Sequence, residues 1–327
     1  MNQTEYKAYL KEKKPLIIIA GPTAVGKTKA SIGLAKKVGG EIISADSMQV
    51  YKGMDIGSAK VTKEEMDGVT HYLVDILSPF DEFHVAKFQK LAKAAIEEIY
   101  EHGHIPILVG GTGFYIQALL YDVDFTEEVD HSYRDELAAL AADKGPEFLH
   151  DMLQKVDPKS ADIIHANNVK RVIRALEYYH LHQRPLSEHN AEEWEKKSPY
   201  TFWYFVFTMD RAKLYDRIEQ RVDIMLQDGL EEEVKALKEL GVKRDMVSMQ
   251  GIGYKEMLSY LDGELSYDQM VADIKENTRH FAKRQLTWFR REKEVIWIEK
   301  EEFASEDALI QALVEQIKEK LTNLEEK

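Results

Sequence analysis

The sequence lacks three features that would point away from the cytoplasm. It has no cysteine, which excludes disulfide bridges and metal sites built from thiolates and fits a reducing compartment. It has no apolar run of about 18 residues, so no transmembrane helix is predicted. The polar residues 1–14 lack the apolar core of a signal peptide. We therefore predict a cytoplasmic protein without membrane attachment.

Positive charge is outnumbered by negative charge, with 44 Lys or Arg against 58 Asp or Glu. The formal net charge of the 327 residues is −14, which disfavours non-specific nucleic-acid binding through bulk electrostatics. A nucleic-acid partner remains possible only through a local basic surface. With 44% hydrophobic residues, the chain is long enough for one large or two modest globular domains.

Residues 21–28 read GPTAVGKT, the spacing G-x-x-x-x-G-K-[ST] of a phosphate-binding loop. The apolar run 16–20 precedes them and predicts a strand, and residues 32–38 follow at helical spacing. In this context, glycine-rich backbone and a helix N-terminus surround an anion with N–H groups. We predict that the loop binds a di- or triphosphate, with Lys27 on its terminal oxygens and Thr28 on Mg²⁺.

Alternating patterns predict the α/β class. Further strands are predicted at 41–46, 71–77 and 105–109, with helices at 84–102 and 114–120. Strands that alternate with helices favour a doubly wound parallel sheet, here of the P-loop NTPase-like type.

Residues 123–200 carry helical patterns without a clear strand, and strand character returns at 201–208. We therefore predict a core from 1–122 and 201–327, with an inserted α-helical domain at 123–200. The segment 125–131 matches no pattern. The remaining predicted elements are insertion helices at 133–142, 148–156 and 169–182, core helices at 212–228, 230–240, 254–261, 267–292 and 304–324, and a strand at 294–298.

Ligands of doubly wound sheets bind at the carboxyl ends of the strands. The phosphate loop, Asp46 and the glycine-rich residues 110–113 all fall there. Asp46 is placed to take a proton from an acceptor substrate, or else to cap a loop. Residues 110–113 suit a site, or else a tight turn with Thr112 as a helix N-cap. These residues alone permit a kinase, a transferase with a diphosphate leaving group, or a nucleotide-binding module that grips RNA.

A predicted helix near the C-terminus is locally basic. Residues 273–293 include seven Lys or Arg and three Asp or Glu, with Phe281, Trp288 and Phe289 among them. Basic and aromatic residues on one helix suit a nucleic-acid backbone, or else a solvated helix face. Lys170, Arg171 and Arg174 form a smaller basic group with the same two interpretations.

Six motifs occur in a characteristic order. They are GPTAVGKT at 21–28, ADSMQVYKGMDIGSAK at 45–60, LVGGTGFYI at 108–116, RVIRALE at 171–177, QGIGYKE at 250–256 and TRHFAKRQLTWFR at 278–290. Together they resemble the bacterial type of the tRNA dimethylallyltransferase family, from about residue 16 to 298. The resemblance implies transfer of a dimethylallyl group from dimethylallyl diphosphate to the exocyclic amine of adenosine-37, in tRNAs that read codons beginning with U.

The resemblance also implies roles for individual residues. Asp46 would be the base, Thr112 would lie at the reacting centre, and Lys27 would hold the leaving diphosphate. The diphosphate site would comprise Gly21, Thr23, Ala24, Val25, Gly26, Lys27 and Thr28, with Arg217 and Arg221 as candidates for a further cation. The contacts with tRNA would come from Asp46, Ser47, Met48, Gln49, Thr112, Arg134, Lys170, Arg171, Arg174, Gln250, Gly251, Gly253, Tyr254 and Lys255, to which the basic helix adds Arg279 and Lys283. The expected partners are the anticodon stem-loop and dimethylallyl diphosphate, bound by a monomer.

Overall fold

A single parallel sheet forms the centre of the protein in the computed structural model, which describes residues 3–125 and 132–325. Its strand order is β3-β2-β4-β1-β5-β6, and every neighbouring pair is parallel. The strands are β1 (Pro15–Ala20), β2 (Gly40–Ser44), β3 (His71–Tyr72), β4 (Ile105–Gly110), β5 (Thr201–Thr208) and β6 (Val295–Glu299). The fold is thus the predicted α/β class with a doubly wound parallel sheet.

Helices make up most of the remaining regular structure. In the first part of the chain these are α1 (Gln3–Lys13), α2 (Lys27–Val38), α3 (Lys63–Met66), α4 (Val85–His102) and α5 (Gly113–Leu120). The middle part contains α6 (Ser132–Lys144), α7 (Pro146–Val156), α8 (Pro158–Ile163), α9 (Val169–His182) and α10 (Leu186–Glu195). The last part contains α11 (Arg211–Gln227), α12 (Leu230–Glu239), α13 (Tyr254–Leu261), α14 (Tyr267–Phe289) and α15 (Glu306–Glu325).

The phosphate loop lies at the carboxyl end of the central strand. All six residues of β1 are buried, as expected for a strand that is covered on both faces. β1 pairs with β4 on one side and β5 on the other, with Ile17 opposite Ile107 and Trp203. The chain reverses its direction of winding about β1, and such switch points are where doubly wound sheets bind ligands.

The chain divides into two compact units. One comprises Met1–Leu120 with Pro199–Lys327, and the other comprises Tyr121–Ser198; the predicted insertion had limits of 123 and 200. The second unit is helical and has a core of its own, because apolar side chains from α6, α7 and α9 pack together. That core includes Leu137, Leu149, Leu153, Val172 and Leu176.

The strand predicted at 71–77 is wrong beyond Tyr72, because Leu73 and Asp75 adopt φ angles of 62° and 59°, which a strand does not accommodate. Of the unmatched segment 125–131, residues 126–131 lie outside the described residues. Within the described part of the chain, no helix is long and apolar enough to cross a membrane.

Candidate active site

The phosphate loop joins β1 to α2 and curls around its own lysine. Gly26, with a φ of 90°, directly precedes α2, and this left-handed conformation favours glycine. Lys27 Nζ donates hydrogen bonds to the carbonyl oxygens of Gly21 (3.0 Å) and Pro22 (2.8 Å). Burial, with help from Arg221 and against the attraction of Asp46, lowers the pKa of Lys27 to about 7. Because a bound anion favours the protonated amine, ligand binding would restore the full charge.

Asp46 follows β2 and shapes the turn after it. Its Oδ1 accepts hydrogen bonds from the backbone N–H groups of Met48 (2.8 Å) and Gln49 (3.3 Å). The Oδ1 atom of Asp46 therefore caps the loop, as one of the two interpretations of this residue predicts. The side chain is only half-buried, and it lines the same cavity as Lys27 and Thr28. A capped aspartate in that position has a second carboxylate oxygen to offer a substrate.

A buried glutamine of α14 connects the phosphate loop to the glycine-rich turn after β4. Gln285 Oε1 accepts a hydrogen bond from the backbone N–H of Thr23 (2.8 Å), and its Nε2 donates to the carbonyl of Gly111 (3.0 Å). A Cβ atom on Gly111 would lie 2.0 Å from that Nε2, so this glycine leaves room for the amide group of Gln285. Thr112 follows directly and donates its backbone N–H to Ala45 (3.4 Å).

These elements enclose a cavity of about 110 Å³. One part of its wall is polar and the other is apolar. The polar part includes Thr23, Lys27, Thr28, Asp46, Gln49, Arg221 and Gln285. The apolar part includes Ile42, Val61, Val74, Val109 and Phe281. The cavity therefore combines cations for an anion, a carboxylate and an apolar pocket in one place.

Three further cations lie at the loop. Arg221 Nη1 donates to Thr23 Oγ1 (3.3 Å), and burial followed by the charge of Arg217 lowers the pKa of Arg221. Arg217 is also close to the loop, because a Cβ atom built on Gly26 would lie 3.4 Å from its Nη2. Both arginines suggested by the sequence are therefore at the loop. Lys300, which sequence reasoning missed, donates to the carbonyl of Gly26 (3.2 Å) and pairs with Glu306 (3.2 Å).

Glu233, a carboxylate that sequence reasoning also missed, binds the loop that follows Asp46. Glu233 accepts hydrogen bonds from the backbone N–H groups of Asp55, Ile56 and Gly57, at 2.7, 2.8 and 3.1 Å. Tyr254 donates its hydroxyl to the same Glu233 (2.8 Å) and is fully buried. Tyr254 was expected to contact tRNA, but its buried ring supports this loop instead.

The other residues of the QGIGYKE motif are divided between interior and surface. Gly253 is buried, whereas Gln250 is exposed and Lys255 is half-exposed. Gln250 and Lys255 line a shallow groove with Arg244. Gly251 approaches Met48, because a Cβ on it would lie 2.9 Å from Met48 Cε. The motif thus lies against the turn that Asp46 caps.

The basic face of α14 forms a groove, here called the basic groove. It is lined by His280, Lys283, Arg284, Thr287, Trp288 and Arg291. The guanidinium of Arg291 lies over the Trp288 ring, 5.2 Å from its centroid, which is a cation–π distance. Arginine is also a side chain suited to phosphate and nucleic-acid recognition. Arg279 is engaged elsewhere, since its Nη1 forms an ion pair with Glu219 Oε1 at 2.6 Å.

The helical unit has its own basic face. Lys170, Arg171 and Arg174 are exposed on α9, while the opposite side of that helix is buried in the core of the unit. Arg134 is half-exposed and pairs with the buried Glu177. Its Nε lies 3.2 Å and its Nη2 lies 2.5 Å from Glu177 Oε2. Since this pair holds the guanidinium against α9, the Arg134 side chain has a structural partner within the unit.

A parallel sheet with a phosphate loop, a carboxylate and an apolar pocket at the carboxyl ends of its strands suits an enzyme that acts on a phosphorylated substrate. A family model described as IPP transferase matches residues 49–292. A tRNA dimethylallyltransferase of Lachnoclostridium phytofermentans is 56% identical over 94% of this chain and 98% of that one. The chain belongs to the tRNA dimethylallyltransferase family.

Solved structures agree with this assignment. The full-length tRNA isopentenylpyrophosphate transferase of Bacillus halodurans superposes with a TM-score of 0.73 at 46% identity, covering 96% of this chain and 100% of that one. A eukaryotic dimethylallyltransferase acting on tRNA superposes with a TM-score of 0.80 at 29% identity, covering 94% and 80%. Both are prenyl-transfer enzymes by name, so these similarities favour prenyl transfer over the kinase alternative.

Proposed function

We propose that this chain transfers the dimethylallyl group of dimethylallyl diphosphate to the exocyclic amine of adenosine-37 in tRNAs that read codons beginning with U. The cavity that joins the phosphate loop to Asp46 carries this proposal. Its polar and apolar walls suit the two parts of the donor, and Asp46 lines the same cavity. We expect a monomer that works in the cytoplasm.

The diphosphate would occupy the phosphate loop. The backbone of residues 26–28, at the N-terminus of α2, supplies N–H groups, and Lys27, Arg217 and Arg221 supply positive charge. The dimethylallyl tail would extend towards Ile42, Val74 and Val109, since apolar surface is removed from water there.

The same cavity fits a divalent cation. Thr28 lines it, and Mg²⁺ accepts a protein hydroxyl oxygen alongside phosphate oxygens and water. Thr28 would hold the ion beside the diphosphate. When bound, Mg²⁺ would neutralise charge on the leaving group.

The transfer needs one bond to break and one to form. The allylic C–O bond breaks, and the electron pair leaves with the diphosphate, whose charge the loop cations stabilise. The adenine nitrogen forms a bond to the allylic carbon and gives its proton to Asp46. Because the lone pair of that amine is delocalised into the ring, removal of the proton as the bond forms matters for the rate. The target base has to leave its stack to reach a cavity of this kind.

The tRNA would lie along the basic groove and the turn after Asp46. Lys283, Arg284 and Arg291 offer phosphate contacts in the groove, and Trp288 offers an aromatic surface. Ser47, Met48 and Gln49 would contact the anticodon loop next to the base. In the helical unit, Lys170, Arg171 and Arg174 would contact the anticodon arm, as would Gln250 and Lys255 in the core.

The reaction can be tested with purified protein, Mg²⁺, labelled dimethylallyl diphosphate and unmodified anticodon stem-loops. We expect label to enter a stem-loop with adenosine at position 37 and not a matched stem-loop with guanosine there. The exchange of one base keeps the phosphate backbone identical, so the pair separates the chemistry from RNA binding. Label in neither RNA, with ATP consumed in the presence of small hydroxyl compounds, would contradict the proposal in favour of a kinase.

The basic groove should dominate the electrostatic part of tRNA binding. Replacing both Lys283 and Arg284 by alanine is expected to weaken tRNA binding roughly 10-fold or more and to lower the slope of log Kd against log salt by about 1 to 2, because fewer counterions are released. The KM for dimethylallyl diphosphate should stay unchanged. The measurement is tRNA affinity by fluorescence anisotropy over a series of salt concentrations.

A matched control removes two positive charges elsewhere. Lys11 and Lys13 lie on α1, which leads into the amino end of β1, at the edge of the sheet opposite the phosphate loop. Their double alanine variant should bind tRNA with the original affinity and salt slope. An unchanged slope in the groove variant would exclude this surface as the footprint.

A further inference from the structure

The amino edge of the sheet holds a cluster of metal-binding side chains. Glu41 is the second residue of β2. Its Oε1 lies 3.1 Å from His102 Nδ1 and 2.6 Å from His104 Nδ1. Each residue contributes an atom to a group of potential ligands that all lie within 4.8 Å of one another. His102 ends α4 and His104 directly precedes β4, so the connection between α4 and β4 meets β2 at one point.

This cluster and the phosphate loop lie at opposite ends of the strands. All strands of the sheet are parallel, and Glu41 and His104 lie at the amino ends of their strands. The phosphate loop and Asp46 follow the carboxyl ends of β1 and β2. A cation at Glu41 would therefore be separate from the one expected on Thr28.

The surroundings of Glu41 suit a ligand carboxylate. Its side chain is 7% exposed, whereas each imidazole is 45% exposed, so the carboxylate is fixed and the site can still be entered from solvent. Tyr72 donates its hydroxyl to Glu41 Oε2 (2.8 Å) and lies 3.3 Å from Glu98 Oε1. Such outer hydrogen bonds orient the carboxylates of metal sites. Burial opposes ionisation of Glu41, but the hydrogen bonds from His104, Tyr72 and His102 outweigh it and lower its pKa.

We propose that Glu41, His102 and His104 form a binding site for Zn²⁺ or a similar transition-metal ion. Two imidazoles and one carboxylate are a ligand set that Zn²⁺ uses, with water in the fourth position, and that Mg²⁺ and Ca²⁺ do not favour. The ligand atoms lie at hydrogen-bonding distances, so small side-chain rotations would open room for an ion. The bound ion would tie the end of α4 and the start of β4 to β2.

The direct test is a calorimetric titration of the full chain with Zn²⁺ in an excess of Mg²⁺, which keeps the phosphate-loop site from binding zinc. We expect one Zn²⁺ per chain. His102→Gln and His104→Gln should each weaken this binding at least about 10-fold, the usual scale for the loss of a metal ligand or its orienting partner. The control is His280→Gln, since His280 is an exposed histidine that also lies beside a glutamate, Glu276 at 3.9 Å, and its removal should leave Zn²⁺ binding unchanged.

A second measurement does not depend on whether the variants fold. Zn²⁺ should shift the imidazole NMR signals of His102 and His104 in the unaltered chain and raise its melting temperature relative to the chelated protein, because an ion that binds only the folded state stabilises it. Unchanged Zn²⁺ binding by both His102→Gln and His104→Gln, or imidazole signals that do not respond to Zn²⁺, would overturn the proposal. Neither result depends on prenyl transfer.

Discussion

Replacing Asp46 by asparagine is expected to lower turnover at least about 100-fold, the usual scale of general acid–base catalysis, while tRNA binding stays largely intact. The asparagine amide oxygen can still accept the hydrogen bonds that Met48 and Gln49 donate to Oδ1, so the turn should be preserved. What the amide cannot do is take a proton from the adenine amine. The measurement is single-turnover transfer of labelled dimethylallyl to an anticodon stem-loop.

Comparing Asp46→Asn with Asp46→Ala separates the two roles of this side chain. Alanine removes the base and the cap together, so its turnover should be at least as low as that of the asparagine variant, with an added loss of tRNA affinity if the turn relaxes. Near-normal turnover with asparagine but not with alanine would mean that Asp46 only holds the turn. The base would then have to be sought elsewhere in the cavity.

Short-range patterns predicted most of the fold. Helical spacing and β-branched runs act over a few residues, which is why β5 was predicted at its observed limits and α4, α9 and α13 within a residue of theirs. The predicted strand at 71–77 was wrong beyond Tyr72, because left-handed residues at Leu73 and Asp75 have no signature in hydrophobic alternation. Helices α1, α3, α8 and α10 were missed because none of them carries a long apolar stripe.

The site was predictable where it rests on motifs, and not where distant segments meet. Lys27 and Thr28 follow from the spacing of glycines, and Asp46 from its place after a strand. Lys300 contacts Gly26 from 274 positions away in sequence, and no periodicity connects the two. Glu233 binds three backbone N–H groups of the loop at 55–57, but in the sequence it is one of three consecutive glutamates, with nothing to distinguish it.

Gln285 is the missed residue with the largest expected effect. Gln285→Met keeps the volume of the side chain but removes its hydrogen bonds to the N–H of Thr23 and the carbonyl of Gly111. Each buried bond contributes about 1 kcal/mol, and a group left unpaired costs more. We therefore expect kcat/KM for dimethylallyl diphosphate to fall roughly 10- to 100-fold, because the phosphate loop and the turn before Thr112 lose their common support. Steady-state kinetics with stem-loop RNA held saturating measures this effect.

The control lies on the same helix. Gln269 is exposed on α14, where its Nε2 donates to Asp273 at 2.6 Å, so Gln269→Met makes the same chemical change without touching the loop and should leave the kinetics unchanged. A role limited to stability would lower the melting temperature of the Gln285 variant but leave kcat/KM intact below that temperature. A role in positioning the loop would show as weaker diphosphate binding in folded protein. Since α14 also carries the basic groove, such a loss would mean that one helix supports both the tRNA surface and the phosphate loop, with Gln285 as the link between them.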